Sequence, residues 1–128
     1  MESRKRLWIG FAISGTLLLF LLFDSVGKLL KVPPVVEGSA RLGYPESSIV
    51  GIGVVLLVCT VLFAIPKTSV FGAILLTGYL GGAVATHVRV GSPLWTHQLF
   101  PVYLGVLIWL ALYLRNEKLR RLLSVFVK

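Results

Sequence analysis

Acidic residues are nearly missing from this sequence: five Asp and Glu stand against thirteen Lys and Arg in 128 residues. Charge of either sign makes up only 14% of the chain, whereas 56% is hydrophobic and the mean hydropathy is +0.90. A soluble domain of this length needs far more charge to coat its surface. Cysteine occurs once, as Cys59 within an apolar run. That excludes an intrachain disulfide, a C-x-x-C pair and the membrane thiol oxidoreductases that work through paired cysteines. A lone thiol in such a setting is a small hydrophobe. Gly51-x-Gly53 lies inside an apolar run rather than after a strand, which rules out a nucleotide-binding loop. The sequence shows no nucleophile–base pair and no metal-ligand set, so a stand-alone enzyme is disfavoured.

What the chain has in abundance is uncharged apolar sequence, in four stretches long enough to cross a bilayer. They run over about residues 7–30, 48–65, 69–88 and 98–114, followed by a basic tail over 115–128. Pro33-Pro34 ends the first stretch, and Pro101 falls in the first turn of the fourth. In lipid each backbone N–H and C=O must find its partner within its own segment. The expected fold is therefore all-α, a polytopic membrane protein built as one four-transmembrane-helix bundle over residues 1–128. Arg4, Lys5 and Arg6 before Leu7–Phe23 imitate a secretory signal, with a small-x-small site at Ser25-Val26-Gly27. The apolar run is longer than a signal core and three more spans follow, so the first helix is expected to stay uncleaved.

Lys and Arg fix the expected orientation. Nine of them lie in the N-terminal tail, at Lys67 and in the C-terminal tail, against four (Lys28, Lys31, Arg41, Arg89) on the other side. Both termini are thus expected in the cytoplasm of a bacterial inner membrane. The same distribution, at the ends of apolar runs, fits anionic headgroups and argues against nucleic acid as the partner of a +8 chain. In the tail, Leu119, Leu122, Leu123 and Phe126 recur at helical spacing between Lys118, Arg120 and Arg121. This pattern suits either a helix lying in the interface or a simple extension of the fourth span.

Small residues offer a basis for packing. Gly78-x-x-x-Gly82 and Gly81-x-x-x-Ala85 put small side chains on adjacent stripes of the third span, and Gly10-x-x-x-Ser14 does so in the first. Such stripes let helix backbones approach in lipid, so the third span is expected to be central.

The remaining polar residues gather at one depth. With a rise of about 1.5 Å per residue, Asp24 lies roughly 27 Å from the cytoplasmic boundary and His87 roughly 26 Å. His97 and Gln98 open the fourth span from the same side, and Lys28 and Arg89 lie nearby. Asp24 and Lys28, one turn apart, share a helix face and can pair. The segment Val32–Glu46 is expected to fold over them as a loop, with Tyr44, Trp95 and Tyr103 as an aromatic rim. Two readings fit the cluster of Asp24, Lys28, Tyr79, His87, Arg89, His97 and Gln98. One is an ion-pair network that fixes helix ends; the other is a pocket for a small amphipathic ligand such as a quinone or a lipid headgroup. Two imidazoles without a thiolate fall short of a metal site.

The run Gly78-Tyr79-Leu80-Gly81-Gly82-Ala83-Val84-Ala85-Thr86-His87-Val88-Arg89-Val90-Gly91 resembles the signature of the DoxX-like membrane proteins. Lys28-Leu29, Leu42-Gly43-Tyr44-Pro45 and Ile65-Pro66 are also similar, and the likeness covers roughly residues 20–115. It implies a four-helix bacterial membrane protein in a family largely without assigned activity. Wider relatives are named for thiosulfate:quinone oxidoreductase subunits, or are associated with membrane oxidoreductase assemblies, and distant eukaryotic ones act as membrane chaperones. Some members carry an acidic residue in the second span; Gly51–Ile65 has none, which weakens the transfer of proton or redox chemistry. The expected role is an accessory or scaffold subunit of a membrane assembly, with a polar pocket at the outer interface. The alternatives are a quinone-linked oxidoreductase subunit and a small lipid or amphipathic-ligand carrier. The lipid bilayer, a membrane or redox partner protein and a second copy of the chain are the partners considered. No cofactor can be identified from motifs; a quinone is the one the resemblance allows.

Overall fold

The structure, a computed structural model, describes residues 2–127. It is helical, with no strand among those residues: α1 (Glu2–Leu29), α2 (Pro33–Arg41), α3 (Glu46–Ala64), α4 (Ser69–Arg89), α5 (Phe100–Arg115) and α6 (Glu117–Val127). A π-helical turn at Leu94–Gln98 leads into α5. Four segments are long and apolar enough to cross a membrane: Ser3–Leu29, Glu46–Ala64, Ser69–Arg89 and Leu94–Arg115.

The four long helices stand as a square. α1 packs against α3 and α5, and α4 packs against the same two from the opposite corner. The third span, α4, is therefore one corner of the bundle and not its centre, contrary to the expectation from its small residues. At the end holding the chain termini and the α3–α4 turn, here the terminal end, Phe63, Leu76, Ile108 and Leu112 form a core that continues to mid-bundle through Leu17, Leu21 and Leu56. In lipid this core gains little from leaving water. Its cohesion comes from dispersion contacts between interdigitated side chains.

Glycine is decisive where backbones nearly touch. A Cβ on Gly72 would lie 2.7 Å from the Leu62 carbonyl carbon and from Phe63 Cα, so only glycine lets α4 start so close to the end of α3. One on Gly53 would lie 2.8 Å from Lys28 Cβ, and one on Gly10 would lie 3.1 Å from the Ala111 carbonyl oxygen. By contrast, a Cβ on Gly78, Gly81 or Gly82 meets nothing within 4 Å, and Ala85 is exposed. The stripes of Gly78, Gly81, Gly82 and Ala85 thus do not pack the bundle. Gly78, Gly81 and Ala85 face outward and Gly82 borders open space, because the spacing of small residues defines a face without saying what lies opposite it.

The segment after α1 is not the expected loop. Pro33 and Pro34 end α1 and also start α2, since a proline in the first turn has no N–H to waste and a φ already suited to a helix. α2 closes on Gly43, at φ +87, with Tyr44 N–H donating to Ser39 O and Gly43 N–H to Ala40 O. That is a Schellman closure, for which the left-handed residue is best a glycine. At the other end of the chain, α5 stops at Asn116, whose side chain accepts the Leu119 N–H and starts α6. The tail is a separate helix and not an extension of α5. Leu119 is buried, whereas Leu122, Val125 and Phe126 are exposed.

Candidate functional site

The half of the bundle away from the termini is hollow. A cavity of about 790 Å³ lies between α1, α4 and α5 and is roofed by α2 and the π-helical turn. Phe20, Ile52, Leu80 and Leu104 line its apolar wall. Asp24 and Lys28, on successive turns of α1, form an ion pair on its polar wall. Their side chains are 34% and 17% exposed, so the pair stands in a partly desolvated mouth where neither charge is comfortable alone.

The opposite wall is made by how α4 ends. Gly91, at φ +72, closes the helix with Ser92 N–H donating to His87 O, and Gly91 N–H to Val88 O. The chain then turns back so that Ser92 Oγ meets His87 Nδ1 at 3.0 Å. The following π-helical turn brings His97 alongside, its ring centroid 5.8 Å from that of His87 at an interplanar angle of 65°. His97 Nδ1 lies 2.8 Å from Thr96 Oγ1. Each imidazole therefore spends Nδ1 on a neighbouring hydroxyl. Neither Nε2 has a hydrogen-bond partner among the described residues, nor has the Tyr79 hydroxyl, which also lines the cavity.

Five of the seven residues singled out from the sequence line this space: Asp24, Lys28, Tyr79, His87 and His97. Arg89 and Gln98 do not. Arg89 is exposed and donates from Nη2 to Leu42 O at 2.8 Å, tying the end of α2 to the end of α4. Gln98 donates from Nε2 to Ser92 O at 2.7 Å, which holds the π-helical turn against the α4 terminus. Both brace the roof. Pairing of Arg89 with Asp24, one solution to its charge, is not what the structure uses.

Tyr44 belongs to the interior and not to an aromatic rim. Thr86 Oγ1 spends its proton on Gly82 O, at 2.8 Å, so the Tyr44 hydroxyl, 2.6 Å away, donates to Thr86. Trp95 is 71% exposed, and Tyr103 donates to its carbonyl oxygen at 3.1 Å. Sequence reasoning also missed Arg41, which borders the cavity from the last turn of α2. The only available signal was the spacing from Pro33, which would have required reading α2 as a helix. No group of three His, Cys, Asp or Glu residues able to hold a metal ion occurs among the described residues.

No curated protein and no solved structure matches the chain significantly. The model of the DoxX-like family matches residues 12–111, a segment that contains most of the four long helices and all of the residues that line the cavity. The chain belongs to the DoxX-like family, as a multi-pass membrane protein.

Proposed function

We propose that this protein binds a small amphipathic molecule from the bilayer, with its polar head among Lys28, Arg41, Tyr79, His87 and His97 and its apolar part against Phe20, Leu80 and Leu104. The single observation that carries this is the cavity itself, large enough for such a head and lined by polar groups without a protein partner among the described residues, the Tyr79 hydroxyl and the Nε2 atoms of His87 and His97. Lys28 and Arg41 outnumber Asp24 there, and the Tyr79 hydroxyl has a proton to give. The wall is therefore built for acceptor oxygens, and the carbonyls of a quinone or the esters of a lipid are the chemistry it fits. The membrane is the bacterial cytoplasmic membrane, with both termini inside, as the Lys and Arg distribution favours. Any redox centre acting on a bound quinone is supplied by another protein.

A second reading, an accessory subunit of a membrane assembly, draws on a different observation. The exposed face of α4 at Gly78, Gly81 and Ala85 is smooth enough for another transmembrane helix, from a partner or a second copy, to approach.

The test is mass spectrometry of molecules retained by the protein after purification in mild detergent, beside the His87→Ala and His97→Ala variants. The expected result is a stoichiometric quinone or lipid whose retention falls about tenfold in either variant, while thermal stability changes by less than about 1 kcal/mol. Retention unaffected by both substitutions would refute the site. A stoichiometric membrane protein without any small molecule would favour the accessory reading.

A further inference from the structure

A second cleft opens at the terminal end of the bundle, remote from the cavity and made of different residues. It has a volume of about 390 Å³ and lies between the first turns of α1 and the corner where α5 gives way to α6. Arg4, Arg115 and Arg120 line it, from three separate elements, together with Ser3 and Glu117. Glu117 is the one carboxylate in that set, and its Oε1 is already taken by Arg121 Nη2 at 2.8 Å. Three arginines from three elements therefore border a space whose one lining carboxylate is engaged by Arg121.

The guanidinium groups are not equally free. Arg115 is held in place: its plane lies over the Phe63 ring at 5.0 Å, and Nη2 is 3.3 Å from both Phe63 O and Ser69 Oγ. Its Nε is buried without a partner among the described residues, so this half-buried cation has no counter-charge from the protein. Arg120 uses Nη1 on the last carbonyls of α5, Tyr113 O and Leu114 O, and keeps its other nitrogens. Arg4 makes no side-chain hydrogen bond among the described residues. The first turn of α1 adds backbone N–H groups with no intrahelical acceptor. Meanwhile α6 sets Leu122, Val125 and Phe126 outward, as a helix lying along a bilayer surface would.

We propose that this cleft binds the phosphate group of an anionic membrane lipid, gripped by Arg4 and Arg120 over a fixed Arg115. Phosphate is the matching group because guanidinium forks meet its oxygens two at a time, and an uncompensated arginine at the membrane boundary is stabilised most by such an anion. A lipid supplies it where the cleft is: basic pockets beside transmembrane helices at this level are headgroup sites. The acyl chains then run along the α1–α5 face. Bound lipid would hold α6 to the bundle, to which only its first turns are otherwise anchored, through Leu119 and Arg120.

The test uses the full-length protein in dodecyl maltoside, with melting temperature and native mass spectrometry read against added phosphatidylglycerol, phosphatidylcholine or inorganic phosphate. Phosphatidylglycerol is expected to raise the melting temperature saturably, with phosphatidylcholine much weaker and inorganic phosphate without effect. The R4Q variant, which leaves the helix caps intact, is expected to lose about tenfold in apparent affinity for phosphatidylglycerol, and R4Q/R120Q more. The control K5Q/K118Q removes the same charge at the same end of the bundle but outside the cleft. An equal loss in that control would mean general attraction to a basic surface and would overturn the site. Retention of full affinity in R4Q/R120Q would overturn it as well. Inorganic phosphate reproducing the shift would overturn the lipid as its source.

Discussion

Replacing Gly72 with alanine adds one methyl group where α3 and α4 are joined, and the structure permits its cost to be worked out. That methyl would stand 2.7 Å from the Leu62 carbonyl carbon and from Phe63 Cα, and nearer still to the Phe63 nitrogen. Carbon atoms in contact prefer about 3.5–4.0 Å, so a gap of roughly 1 Å must open. All three obstacles are backbone atoms and cannot rotate away as a side chain would. Opening the gap also strains the hydroxyl bonds that fasten the turn, Ser69 Oγ to Phe63 O at 2.8 Å and Thr68 Oγ1 to Leu62 O at 2.7 Å. Overpacking of this kind costs about 1–3 kcal/mol, and the rigid backbone puts Gly72→Ala at the upper end. The gain in helix propensity offsets about 1 kcal/mol, leaving a net loss of about 2 kcal/mol. Gly78→Ala is the natural comparison, since its methyl meets nothing within 4 Å and keeps the propensity gain. Unfolding of both variants in the same detergent, by heat or by titration with dodecyl sulfate, should separate them by about 2–3 kcal/mol. A Gly72→Ala protein as stable as Gly78→Ala would refute the close approach of α3 and α4.

Two further outcomes are expected. Asp24→Asn leaves Lys28, only 17% exposed, without its counter-charge and should destabilise the protein by about 1–3 kcal/mol; an unchanged unfolding midpoint in detergent would show that solvent, not Asp24, satisfies Lys28. Reporter fusions after Leu114 should report cytoplasmic, and insertions near Glu37 external; a reporter after Leu114 found outside would contradict the orientation drawn from the basic residues.

The spans were legible because the bilayer imposes a length that composition shows directly. The expected stretches differ from the observed helices mostly at their ends: α1 begins at Glu2 instead of 7, and the fourth span begins at Leu94 instead of 98. The Asp24–Lys28 pair was legible too, being local: spacing by one turn suffices to bring the two together. Packing was not. Gly72, Gly53 and Gly10 are the residues that permit close approach, yet nothing in their spacing distinguishes them from Gly78 and Gly82. What distinguishes them is the neighbour, which is set by how four helices are arranged in the square. The roof was missed for a related reason. Pro33-Pro34 carries a stop signal for α1 and a start signal for α2 in the same two residues, and Arg89 and Tyr44 take their roles from where α2 comes to rest.

The solid half of the bundle sets a limit on what the hollow half can do. Below the cavity, Leu17, Leu56, Leu76, Ile108 and Leu112 are each at most 3% exposed and fill the interior toward the terminal end. An ion entering the mouth would have to shed its hydration to go further, among side chains that return none of that energy. The bundle is therefore two unlike halves in series, a plug of packed side chains beneath an open cup. For a molecule held as proposed, the ways out that the structure leaves open are the mouth and the gaps between helices beside the cavity, on the side away from the packed core.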